Sequence, residues 1–71
     1  MRILIVEHDT DAQALLRRKF MERGCTIDVA ASVRAAARFL TASSFDWLIL
    51  GQRLPDGLGL DLLDFLDLPN T

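Results

Sequence analysis

Seventy-one residues, with eight Lys plus Arg against ten Asp plus Glu, a formal charge of −2 and one cysteine, leave room for a single small domain. A chain near this size buries only about 60% of the surface its unfolded form exposes. The lone Cys25 builds neither an internal disulfide nor a Cys/His metal site, so association is the stabilising device left open.

The 51% hydrophobic content excludes a disordered segment, and the acidic balance lacks the basic footprint of a nucleic-acid binder. The longest apolar runs, Ile3 to Val6 and Trp47 to Leu50, are strand-sized and well short of the roughly 20 residues a bilayer span needs. Neither nucleic acid nor membrane is an expected partner. The start of the chain has too short an apolar stretch for a secretory signal, which with an unpaired thiol predicts a cytoplasmic protein.

Ile3-Leu4-Ile5-Val6 is a continuous β-branched-rich run, the pattern of a strand covered on both faces. From Asp11 onward Ala12, Leu15, Leu16 and Phe20 recur at helical spacing, with Asp9 or Thr10 to cap the start and Gly24 to stop it. Cys25 reads as a small buried residue before Thr26 to Ala30, whose polar–apolar alternation predicts a strand with one protected face or at a sheet edge. Ser32 caps a second helix with Val33, Ala36, Ala37, Phe39 and Leu40 inward and Arg34 and Arg38 outward, ended by Ser43-Ser44.

Trp47 to Leu50 repeats the doubly buried signature, and Leu54-Pro55-Asp56-Gly57 reads as a turn before a third helix through Leu62, Leu63, Phe65 and Leu66. Pro69 ends that helix, giving a domain over 1–68 and a tail over 69–71. Strands alternating with helices of this length predict an α/β fold with right-handed crossovers and a parallel sheet.

Ligands of open parallel sheets bind beyond the carboxyl ends of the strands, which directs attention to Glu7-His8-Asp9, Ala31-Ser32 and Gly51-Gln52-Arg53. An acidic cluster after a central strand suits a hard cation such as Mg²⁺. It equally suits a helix cap at Asp9 and a solvated acid at Glu7.

The segments Ile3 to Asp9 and Phe45-Asp46-Trp47-Leu48-Ile49-Leu50-Gly51-Gln52-Arg53-Leu54-Pro55-Asp56-Gly57 resemble the two hallmark stretches of bacterial two-component response-regulator receiver domains, and the likeness covers essentially the whole chain. It implies a flavodoxin-like, three-layer fold truncated to about three βα units, with strand order 2-1-3. In that family an acidic pair after the first strand binds Mg²⁺, and an Asp ending the third strand accepts a phosphoryl group from a histidine kinase.

This chain departs from the pattern at the chemistry. Glu7 fills the first acidic position, but His8 holds the second, and the phosphoacceptor position falls on Gly51, which has no nucleophile. The family's later hydroxyl and Lys hallmarks fall beyond Thr71. Glu7, His8, Asp9, Gly51 and Asp56 therefore form a degenerate receiver pocket. His8 is expected to fill the vacated space, with phosphohistidine, transition-metal and pH-sensing roles as its alternatives.

The expected function is that of a non-phosphorylatable pseudo-receiver, without enzymatic activity or cofactor. It would act in bacterial signalling or transcriptional regulation by homodimerisation or by docking another signalling protein. Residual Mg²⁺ binding at Glu7 and Asp9 is the alternative for the metal. For the function, the alternatives are an atypical phosphoacceptor at Asp9 or Asp56, or an excised N-terminal fragment of a longer regulator. With order 2-1-3 the third strand is an edge lacking Lys, Pro or inward charge, which makes Trp47, Ile49 and Leu50 the expected interface. Arg17-Arg18-Lys19 with Arg23 reads as the solvated side of the first helix, and Arg17 and Arg18 as its candidate docking residues.

Overall fold

The structure, a computed structural model, describes residues 1–65, with side chains described through Leu63. The continuous apolar run at the start forms β1 (Arg2–Val6), followed by α1 (Thr10–Met21), β2 (Thr26–Ala30), α2 (Val33–Ala42) and β3 (Trp47–Leu50). A short hairpin, β4 (Arg53–Leu54) and β5 (Gly57–Leu58), then leads into a 3₁₀ helix over Gly59–Phe65.

The three long strands form a parallel sheet in the expected order, β2-β1-β3. Ile3 stands between Ile27 and Trp47, and Val6 between Ala30 and Leu50. Ile3, Leu4, Ile5 and Val6 are at most 1% exposed. Burying side chains of this size stabilises by about 1.5–3 kcal/mol each, so β1 is the main source of cohesion.

Because side chains alternate across a strand, β1 feeds two separate layers. Leu4 and Val6 join Ala30, Ala36, Leu54 and Leu62 in one core, with Val33, Phe39, Leu40, Phe45, Leu48 and Leu50 packed around it. Ile3 and Ile5 face the other way, toward α1, which makes the three-layer arrangement.

Helix α1 follows its caps and, except at Leu15, its stripe, with Ala12, Leu16 and Phe20 half-buried. Asp9 accepts the Ala12 amide at 3.1 Å, and Gly24, at φ +81°, takes the left-handed turn that ends it. No residue of α1 is fully buried, and Leu15 is 51% exposed. The helix packs chiefly on β2 and β1, so it covers its face of the sheet incompletely. Trp47 is 57% exposed for the related reason that β3 has only β1 as a strand neighbour among the described residues. The doubly buried pattern of Trp47 to Leu50 is thus realised on an edge, where Leu48, Ile49 and Leu50 are half-buried. Cys25 is likewise half-buried.

The expected third α-helix is corrected to a 3₁₀ helix. Leu60 and Leu63, like Asp61 and Asp64, recur every three residues, which is the period of a 3₁₀ helix. Its start is fixed by Asp61, whose carboxylate accepts the Leu58 amide at 2.9 Å. Leu62 anchors it in the core shared with Ala36 of α2. Leu66 and the boundary at Pro69 lie outside the described residues.

The helix begins where Gly59 passes against the backbone of Gly51: a Cβ at position 59 would run into the Gly51 carbonyl oxygen. Gly59→Ala is therefore expected to cost about 1–3 kcal/mol through forced backbone displacement. Urea denaturation checks this, and an unchanged midpoint would show that the approach is not tight.

Candidate functional site

The parallel register brings the ends of β1 and β3 together. Gly51 donates its amide to the Val6 carbonyl at 2.7 Å, and Glu7 donates to the Ala30 carbonyl at 3.0 Å. Glu7 and Gly51 therefore sit side by side at the carboxyl edge of the sheet. A Cβ at Gly51 would lie 3.1 Å from the Val6 carbonyl oxygen and 3.4 Å from Glu7 Oε1. Position 51 is occupied by backbone and bordered by a carboxylate.

Glu7 is folded onto its own loop. Its Oε2 accepts the amides of His8 at 2.8 Å and Asp9 at 3.0 Å, while its backbone carbonyl accepts the Gln13 side-chain amide at 2.5 Å. Asp9 is the N-cap of α1. His8 is exposed, which corrects the expectation that its ring fills the space at position 51; Glu7 borders that space instead.

Asp56 has a different partner from the rest of the predicted pocket. Its two oxygens accept the Val33 amide at 2.8 Å and the Arg34 amide at 3.0 Å, the first two N–H groups of α2. Ser32 Oγ takes the third, from Ala35, at 3.0 Å, and the Ser32 carbonyl takes the fourth, from Ala36, at 3.0 Å. The three leading amides of α2, which a helix start leaves without intrahelical partners, are thus satisfied, and the Ala36 amide makes the first regular bond of the helix. The Val33 amide foremost, then the Arg34 amide, hold the Asp56 carboxyl below the usual carboxylate range.

Beside Gly51 a cavity of about 320 Å³ is lined by Leu50, Gly51, Gln52, Leu58, Gly59 and Leu60. None of these carries an acid or a nucleophile. Among the described residues no three His, Cys, Asp or Glu side chains are grouped so as to hold a metal ion. One Glu7 oxygen receives two amides, Asp9 caps α1, and His8 presents nitrogen, so the donor set does not fit a receiver-type Mg²⁺.

Arg17 and Arg18 lie away from this edge. They line a groove of about 620 Å³ with Thr10, Gln13, Ala14, Met21, Glu22 and Val29. Sequence reasoning proposed the arginines but missed the groove, whose signal is the three-to-four-residue spacing from Thr10 to Met21. It also missed the opposite end of the sheet. There Asp46 accepts the Arg2 amide at 2.7 Å, and the Arg2 guanidinium pairs with Asp28 at 3.1 Å and lies 4.8 Å from the Phe45 ring centre.

The sequence profile of the family described as the response regulator receiver domain matches residues 3–69. The solved non-phosphorylated HemR receiver domain from Leptospira biflexa superposes with a TM-score of 0.81 at 32% identity, covering 89% of this chain and 51% of that one. The chain thus spans about half the length of that structure. No curated protein matches.

The Asp56 clamp has a pH signature. Its folded pKa lies below the unfolded value of about 3.9. Its stabilisation is therefore complete above that value and lost as pH falls through the folded pKa. Asp56→Ala is expected to melt below the native protein at neutral pH, with the gap closing under acidification below about pH 4. A gap independent of pH would mean that the ionised cap contributes nothing.

Proposed function

The chain belongs to the response regulator receiver domain family, and from that premise we propose that it signals by association and not by phosphoryl transfer at position 51. The observation that carries this reading is Gly51 itself. Receiver-type transfer needs a carboxylate nucleophile where β3 ends, and this position offers only backbone, with Val6 and Glu7 closing on the space a side chain would enter.

The substitute acceptors support the same reading. Asp9 and Asp56 are engaged as helix caps. The amides that lower the Asp56 pKa also make its carboxylate a poorer nucleophile. With a donor set ill-suited to Mg²⁺, the site is taken to work without a cofactor, and the module to work in the cytoplasm as a signalling component and not as an enzyme.

Association has a surface available on β3. Trp47 is 57% exposed beside half-buried Ile49 and Leu50, on a strand without charge or proline to discourage pairing. A second copy or another signalling protein covering this strand would bury the indole, a side chain typical of interface anchors.

Two measurements test the proposal. Incubation with acetyl phosphate and Mg²⁺ should leave the intact mass unchanged, and a stable phosphoryl adduct would overturn the non-phosphorylated reading. Trp47→Lys should weaken association measured by sedimentation by about 2 kcal/mol or more, and association indifferent to the change would remove β3 as the surface.

A further inference from the structure

The −2 net charge conceals a separation. Residues 17–23 hold Arg17, Arg18, Lys19 and Arg23 against Glu22 alone, whereas residues 59–67 hold Asp61, Asp64 and Asp67 and no cation. Half of the chain's eight basic residues thus fall in one seven-residue stretch. The only ion pair among the described residues is Arg2–Asp28, so Arg17 and Arg18 line the groove beside β2 without a salt bridge to Glu22, the one carboxylate that lines it with them. Cations in the last turn suit the helix dipole, which accounts for Arg18 and Lys19 but not for Arg17, further from the helix end.

The groove is also apolar. Met21, 53% exposed, and half-buried Val29 share its wall with the two arginines and Ala14. An occupant matching it needs leucine-like side chains flanked by carboxylates on a narrow rod.

This chain carries such a rod. On the 3₁₀ helix Leu60 is 68% and Leu63 43% exposed, and a spacing of three residues aligns them in one ridge. Asp61 adjoins the ridge, exposed, and the sequence repeats Asp three and six residues later. Seven residues of 3₁₀ helix span about 14 Å at about 2.0 Å per residue. The groove from Thr10 to Met21 follows a helix for about 16 Å at about 1.5 Å per residue. The lengths match.

We propose that the groove between α1 and β2 receives the acidic, leucine-bearing 3₁₀ helix of a second copy of this chain. The molecule does not reach its own groove: Leu62 holds the 3₁₀ helix in the core on the α2 side of the sheet, while the groove lies on the α1 side. The contact is therefore heterologous, so copies add head to tail and form a ring or an open row. It rests on the association reading above but uses the sheet edge opposite β3.

The test is sedimentation of the full chain across concentration and salt. The expected result is growth beyond a dimer as concentration rises, diminishing as salt shortens the screening length from about 10 Å at 0.1 M to about 3 Å at 1 M. Arg17→Glu with Arg18→Glu should lose association at least tenfold, and so should Asp61→Lys with Asp64→Lys. Mixing the two variants should restore it, because each reversed surface then meets its complement. Restoration also shows that both variants fold. Failure of the mixture to associate, or association unaffected by either reversal, overturns the proposal. Trp47→Lys separates the two readings: loss confined to that variant leaves the β3 surface and removes this one.

Discussion

Everything in this domain hangs on β1 being buried on both faces and both edges. Four consecutive side chains, Ile3 to Val6, lose essentially all contact with water, and no other element among the described residues does so. Because they alternate, each layer receives two of them. Helices α1 and α2 are therefore both held by the same five-residue strand, as are the neighbouring strands β2 and β3. The outer elements pay in exposure: α1 has no fully buried residue and β3 presents an indole to solvent. A small chain supports one fully enclosed strand and leaves its periphery half-covered.

The same economy explains the acids at the carboxyl edge. In a site built for a cation, the oxygens would converge on one point. Here Glu7 receives the amides of its own loop, Asp9 starts α1, and Asp56 reaches back from the β4–β5 turn to start α2. The Asp56 clamp ties the hairpin to a helix more than twenty residues earlier, and Leu54, buried on the same hairpin, gives that tie an apolar counterpart. Asp9 and Asp56 meet amides at helix starts, which demand acceptors, and Glu7 meets the amides of its own loop.

Sequence pattern conveyed the parts of this fold that rest on periodicity and local capping. The run at Ile3, the Ser32 cap, the Gly24 stop and the strand order all follow from spacing or from the family resemblance. What it did not convey depends on contacts between distant segments. Asp56 belongs to α2 only once the chain has turned back. The exposure of Leu15 and Trp47 depends on which strands α1 covers, information absent from either segment alone. The 3₁₀ helix is an intermediate case: leucine spacing shows a helical period, and choosing three over 3.6 needed attention to the aspartates as well. His8 shows the limit of filling a space by analogy, since its neighbour Glu7 is the residue that borders Gly51.

Glu7 and Gly51 together bear on how such a module would be controlled. Glu7 Oε1 lies beside position 51 while Oε2 is held by two amides of its own loop, so a side chain at 51 would touch the carboxylate that closes the loop and press on the Val6 carbonyl oxygen. Switching by ligand requires a state that the ligand binds better than the resting one, and an edge already satisfied by its own amides offers little to gain. On the association reading, control passes from the chemistry of the edge to the availability of surfaces. Occupancy is then set by concentration and, where charged surfaces such as the basic side of α1 take part, by ionic strength.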